Sequence, residues 1–405
     1  MRKTDVEATT DLAGAALAAG ISAIQDTHTG IAGRPFRVLG VAAAPARLIH
    51  DTVSTAVYAG LRAGLRAAAG LGAIAVPADE SPAVDSHRTG SAVLAVLNGL
   101  YGDHLAARGN RFAFGMTVRH EGGDLSLEPD GLAGAFPDAT ARLVVFVHGL
   151  CETDRAWRYG SAPDSGPAGY GDRLHNDLGF TPLYLRYNTG LHVSENGRAL
   201  AGLLDELVRG WPVPVREVVL VGHSMGGLVA RSACHYRRAG RQPWTDAVRH
   251  VFCLGAPHLG ADLEKGTNVL AWALAKLPET RSLAGVLNAR SVGIKDLRFG
   301  SCADEDWCDC DPDEFLRDRC QEVPFLPGAH YYFIAATLNP QAVGQVFGDL
   351  LVRLPSASGQ GDGTGRRVPF EVEHGHHVPG LHHFDLLNHP AVYRQMHTWL
   401  TRHNG

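Results

Sequence analysis

The chain has no basic excess, no apolar run long enough for a bilayer and few cysteines, and each shortfall narrows what it can do. A formal charge of -5 over 405 residues offers no cationic face for a phosphate backbone, so no nucleic-acid partner is expected. The most apolar stretch of the N-terminal region, Ala67 to Val76, follows Arg62 and Arg66 and is roughly half of what spans a membrane. The first residues, MRKTDVEATTDLAGAALAAG, are interrupted by Asp5, Glu7 and Asp11 before the apolar core of a signal peptide can form. The expected location is therefore the cytoplasm. Seven cysteines are an odd number, unevenly placed. Cys151, Cys234 and Cys253 lie in or beside apolar segments, as small core residues do. Cys302, Cys308, Cys310 and Cys320 share the acidic stretch CADEDWCDCDPDEFLRDRC, whose spacing fits no zinc pattern well, so a variable loop is preferred there to a disulfide or a metal.

What is present is an ordinary globular composition, 45% hydrophobic and 20% charged, in a chain long enough for one α/β domain with additions. Residues 1–78 are alanine-rich and read as helices over about 8–33 and 44–75. Leu48, Val53, Val57, Leu61 and Leu65 line one face of the second. That stripe leaves packing on the rest of the protein, an oligomer contact, or a lipid or polymer surface open. A third helix is expected over Ser91 to Ala107. These segments form an N-terminal helical extension, 1–110, ahead of a catalytic domain, 111–405.

From residue 111 the pattern changes. FAFGMTV and DLSLE flank Gly122 and Gly123 as a hairpin. Strands follow at RLVVFV (142–147), TPLYLRY, 217–221, 248–254, HYYFIAA (330–336) and near 368–373. Helices are expected at 170–178, at 194–209 with Ser194 as N-cap, at 225–238 and at 390–402. Such alternation specifies a doubly wound, mostly parallel sheet with helices on both faces, which binds ligands at the carboxyl ends of its strands. The segment 258–328 breaks the alternation. It carries NVLAWALAKL and then, over 301–322, nine carboxylates against two arginines. An insertion there is where a lid would sit, and an acidic helical decoration is the other reading.

The chemistry is concentrated in VVLVGHSMGGLVAR, 218–231. A β-branched strand gives way within two residues to a helix, and Ser224 is at the corner. Gly222 and Gly226 flank it, as a tight strand-to-helix turn requires: this is a G-x-S-x-G nucleophile elbow. A serine hydroxyl needs a base to take its proton and an acid to orient that base. In this fold they follow in the order serine, acid, histidine. His383, in GLHHFDLLNHPAVY just before the last helix, is the preferred base, with His382 the near alternative. Asp349, after HYYFIAA, is the preferred acid, with Asp362 in GQGDGTG and Asp385 as alternatives. The oxyanion of an attacked ester requires two backbone donors. Met225 N–H follows the elbow, and Leu150 N–H follows the HG turn at His148 and Gly149. HGHH at 374–377 is metal-like, but without carboxylate or cysteine partners at ligand spacing no metal is expected. No cofactor is required.

FVHGL, GHSMGG and GAPHLG together resemble the α/β-hydrolase superfamily, specifically its bacterial lipase and esterase branch with the inositol-deacylase-like hydrolases, over about 141–402. In compact lipases of that branch an Asp-apolar-apolar-Val segment supplies the acid and a G-x-x-H-apolar-x-L-L segment the base. GDLLV at Asp349 and GLHHFDLL at His383 match them. The resemblance likewise implies Leu150 and Met225 as oxyanion donors. Residues 1–110 and 258–328 have no counterpart in compact lipases. The expectation is a serine carboxylic-ester hydrolase acting on a small-molecule or lipid-like ester, with Trp272 and Leu274 as candidates to line an acyl pocket. Acyl transfer, thioester cleavage and polyester cleavage remain on the same triad, and a binding protein on a hydrolase fold is the non-catalytic alternative.

Overall fold

The strand Arg142–Val147 shows why the sheet residues read as unbroken apolar runs. Leu143, Val145 and Val147 enter one hydrophobic core while Val144 and Phe146 enter another, all at 0% exposure. A sheet covered on both faces leaves few positions for a polar side chain along its central strands. The computed structural model describes residues 87–158, 169–236, 243–276, 281–338, 349, 351–360 and 366–402, with isolated positions before residue 86. The helices expected at 8–33 and 44–75 fall, apart from those positions, outside the described residues.

Eight strands form one sheet in the order β2-β1-β4-β3-β5-β6-β7-β8. In chain order they are β1 Thr117–His120, β2 Gly123–Asp124, β3 Arg142–Val147, β4 Thr181–Arg186, β5 Glu217–His223, β6 Val248–Leu254, β7 His330–Thr337 and β8 Gly375–Pro379. The β1–β2 hairpin and the β1–β4 pair are antiparallel, and the six strands from β4 to β8 run parallel. The principal helices are α1 Arg88–Ala107, α2 Tyr170–Leu178, α3 Val193–Gly210, α4 Met225–His235, α5 Asp262–Leu274, α6 Arg281–Asn288, α7 Val292–Asp296 and α8 Pro390–Arg402. α3 and α4 cover one face through Leu200, Leu204, Leu207, Leu228 and Val229. α2 and α8 cover the other through Tyr170, Leu174, Val392, Met396 and Trp399. No helix among the described residues is long and apolar enough to cross a membrane.

Three local expectations are corrected, each by a partner distant in sequence. The segment FAFG is not a strand: the Asn98 side chain donates to Phe112 O at 2.7 Å and accepts from Phe114 N–H at 2.8 Å, which takes up the backbone groups a ladder would need. The last strand begins at Gly375 and not near 368, because only a glycine lets the chain lie against the Phe333 ring, and pairing starts there, Phe333 opposite Gly375. Ser194 does not cap α3. Its hydroxyl donates to Asp304 at 2.7 Å, while the Asp296 carboxylate accepts the buried first-turn N–H of Val193 at 2.8 Å.

The segment 258–328 is tied inward. Glu264 of α5 is buried between Arg290 and Arg298, and the Asp306 carboxylate accepts N–H groups from Cys302, Ala303 and Gln321. Its acidic residues are therefore in part turn-stapling groups and not only a solvated face. All seven cysteines are free thiols. α1 is bonded to the same segment, with Ser291 Oγ donating to Gly99 O at 2.6 Å and Ser291 N–H to Leu100 O at 2.9 Å.

Candidate active site

At the carboxyl end of β5 the chain turns into α4 through Ser224, whose φ of 52° and ψ of -122° belong to a region an L residue rarely adopts. Holding serine there costs on the order of 1–3 kcal/mol, which the flanking structure must offset. The neighbours leave no alternative: a side chain on Gly222 would collide with the Gly226 backbone, and one on Gly226 with the carbonyls of Val147 and His148. Strand β3 and the turn into α4 thus meet backbone to backbone. Ser224 N–H donates to Leu254 O at 2.8 Å, fixing the corner against β6.

His383 opens the one-turn helix His383–Leu387 that precedes α8. It is buried, as is Asp349, and its Nδ1 is 2.7 Å from Asp349 Oδ2. The other Asp349 oxygen accepts Leu351 N–H at 3.0 Å and Val352 N–H at 2.8 Å, and Asp349 O accepts His383 N–H at 3.3 Å. Burial alone would raise the Asp349 pKa. The His383 hydrogen bond and charge, with the two N–H donors, outweigh it and hold the carboxyl below its ordinary value. Nε2 of His383 is buried without a hydrogen-bond partner among the described residues. Its ring lies over Gly255, directly after the residue whose carbonyl holds Ser224 N–H. A buried imidazole with one nitrogen fixed and the other unused calls for an explanation.

The alternative site residues fall elsewhere. His382 is exposed, with Nδ1 2.8 Å from Asp385 Oδ2, and Asp385 also accepts His382 N–H, so these two serve each other. Asp362 lies outside the described residues. Trp272 is half-exposed on α5, its ring against Phe315 at 4.7 Å and beneath the Lys276 ammonium, and Leu274 is half-buried. Both stand on α5 within the insertion and not at the β5–α4 corner.

After β3 the chain forms a tight loop, His148 to Glu152, beside the elbow. A side chain on Gly149 would stand 3.1 Å from the Ser224 Cβ. Leu150 N–H and Met225 N–H have no hydrogen-bond partner among the described residues. His148 itself is a packing residue: buried, stacked on Tyr187 at 4.4 Å, with Nδ1 2.9 Å from Gly149 O, and with its pKa lowered by desolvation.

Two residues of this neighbourhood escape sequence reasoning. Glu152 accepts Gly149 N–H at 2.6 Å and faces His223 Nδ1 at 3.0 Å, and His223 Nε2 is 3.2 Å from His383 O. The pair is buried. Desolvation would lower the His223 pKa and raise that of Glu152, but mutual charge and hydrogen bonding reverse both, so the imidazole is raised and the carboxyl lowered. A glutamate three residues after the HG glycine, together with a histidine before the serine, was the available signal. The two are separated by 71 positions, and nothing local says that they meet.

Residues 138–308 match the family model of the PGAP1-like alpha/beta domain. No curated protein matches by sequence. Among solved structures, the mature lipase BlEst2 of Bacillus licheniformis is 20% identical over 64% of this chain and 91% of that chain, with a TM-score of 0.42. EstA from Clostridium botulinum is 12% identical over 65% and 87%, with a TM-score of 0.36. Phospholipase PlaB from Legionella pneumophila is 15% identical over 65% and 59%, with a TM-score of 0.36. The sheet order, the strained serine corner and the family match make this chain an α/β-hydrolase-fold protein whose residues 138–308 are similar to the PGAP1-like alpha/beta domain.

Proposed function

We propose that the chain is a serine carboxylic-ester hydrolase that works through an acyl-enzyme on a hydrophobic acyl ester. The fold and the family match support hydrolysis in general. The observation that carries the specific reading is the buried Asp349–His383 pair, whose remaining imidazole nitrogen is unpartnered beside a strained serine corner.

In this mechanism Ser224 Oγ attacks the acyl carbonyl carbon while His383 Nε2 takes its proton. In this reading the negative charge that develops on the carbonyl oxygen is met by Leu150 N–H and Met225 N–H, backbone donors of the two turns that meet at Ser224. Asp349 keeps Nδ1 protonated and stabilises the imidazolium. His383 then gives the proton to the leaving alcohol, and the acyl group remains on Ser224. A water attacks that ester with His383 as base, and release of the carboxylic acid restores the serine. Exposed apolar side chains on the insertion, Leu263, Leu270, Trp272 and Phe315, support an apolar acyl group.

Hydrolysis of p-nitrophenyl esters of graded acyl length, with Ser224→Ala beside wild type, tests the proposal. Turnover should fall by roughly 10⁴-fold or more in the variant, and the chain-length profile separates short esters from lipid-like ones. Equal rates for the two proteins would overturn the mechanism.

A further inference from the structure

The opposite end of the sheet holds a second convergence of side chains that ester hydrolysis does not use. His330 is the first residue of β7, His374 ends the one-turn helix Val372–His374 that leads into β8, and Glu371 precedes that turn. One ligand atom from each lies within 4.8 Å of the other two, and His374 Nε2 is 3.6 Å from Glu371 Oε2. The imidazoles are held by their surroundings. His374 is buried with its ring 4.4 Å from Tyr332, and His330 packs on His250 at 5.8 Å and meets His374 edge-on at 5.5 Å. The glutamate, 73% exposed, is free to adjust. Two fixed nitrogens and one adaptable carboxylate are a ligand set for a borderline transition cation, softer than the all-oxygen sets that calcium and magnesium prefer.

We propose that His330, Glu371 and His374 bind a divalent transition cation of the zinc type, with water completing the coordination, and that the ion fastens the edge strand β8 to β7. The β7–β8 ladder begins only at Phe333 opposite Gly375, so β7 extends three residues beyond its last β8 partner. The ion would bridge that open corner. Of the HGHH histidines only the first takes part. His377 Nε2 is engaged by Thr337 Oγ1 at 2.8 Å, farther along the ladder. The carboxylate that HGHH lacks within itself is supplied three positions upstream, by Glu371.

The test uses the full chain stripped with a chelator and titrated with Zn²⁺, followed by calorimetry and thermal unfolding, with Co²⁺ as a spectroscopic probe. One saturable ion per chain is expected, with a rise in Tm and a cobalt spectrum free of a thiolate charge-transfer band. The absence of that band separates this site from the four cysteines of residues 302–320. Glu371→Gln, at a largely exposed position, and His330→Asn should each weaken binding by about 10-fold or more and abolish the rise in Tm, with ester turnover unchanged. Absence of saturable Zn²⁺ binding in wild type, wild-type affinity in both variants, or a thiolate band would each overturn the assignment.

Discussion

Glu152 holds the loop that carries Leu150 N–H, and it does so with a charge that needs a partner. Its carboxylate accepts Gly149 N–H and is paired with His223, with His148, Asp154, Asp349 and His383 also nearby. An unpaired carboxylate there would oppose the oxyanion of the proposed mechanism, whereas a protonated His223 cancels it. The sign follows from the two shifts. His223 is raised above 6.5, so its contribution is complete below that value and is lost as pH climbs through the higher folded pKa. Glu152 is lowered below 4.5, so its contribution is present above that value and is lost as pH falls through the lower folded pKa. The loop is therefore best held between those limits. Glu152→Gln should lower kcat by roughly 10 to 100-fold with little change in KM, and should shift the alkaline limb of the kcat profile to lower pH, because His223 loses the charge that raises it. An unmoved alkaline limb would show that the pair has no such role. Asp349→Asn, which leaves the volume but removes the charge and the correct tautomer, should cost about 10³ to 10⁴-fold in kcat without altering the circular dichroism spectrum.

α1 makes the same loop depend on a helix outside the 138–308 match. A side chain on Gly99 would collide with Cys151 Sγ, and one on Gly102 with the Asn188 amide, so the helix approaches the loop as closely as backbone allows. Cys151 already has a φ of 59° and little freedom to retreat. Gly99→Ala should therefore destabilise by about 1–3 kcal/mol through overpacking and reduce ester turnover as the loop moves. Gly202→Ala on α3, where the added methyl meets open space, should instead be neutral or stabilising by up to about 1 kcal/mol. Measuring Tm and kcat for both variants separates packing from helix propensity. The same seam explains what could and could not be read in advance. Helix 170–178, strand 248–254 and helix 390–402 have the bounds that their own periodicity and turn residues indicate, and they agree with the structure. Asp349 and His383, singled out from GDLLV and GLHHFDLL, lie 2.7 Å apart although 34 positions separate them. What went unread was set across the chain: Asn98 taking the first part of the expected strand 112–118 out of the ladder, Asp296 capping α3, and Glu152 meeting His223. Local pattern carries no record of such partners.

Seen across all its contacts, the segment 258–328 behaves as part of the core and not as a flap laid over it. Leu297, Cys302, Ala303, Val323 and Leu326 join the hydrophobic cluster that α3 and α4 share with the sheet. Asp296 caps α3, Ser291 grips α1, and Glu264 pairs with both Arg290 and Arg298. Opening this segment as a rigid lid would expose that apolar surface and break those bonds together, a cost set by burial at roughly 25 cal/mol per Å². Motion within the insertion is more economically confined to the exposed parts of α5 and residues 315–316, which present Leu270, Trp272, Phe315 and Leu316 to solvent. Glu264→Gln tests the distinction. With the charge removed, two buried guanidinium groups lose their common counterion, a change worth about 3–5 kcal/mol when a buried pair is broken. If the segment is part of the core, Tm falls in a single transition that also takes ester turnover with it, and amides 291–306 exchange as slowly as those of β5. A separate early transition of the insertion, with the sheet and turnover intact, would show that it is an independent lid.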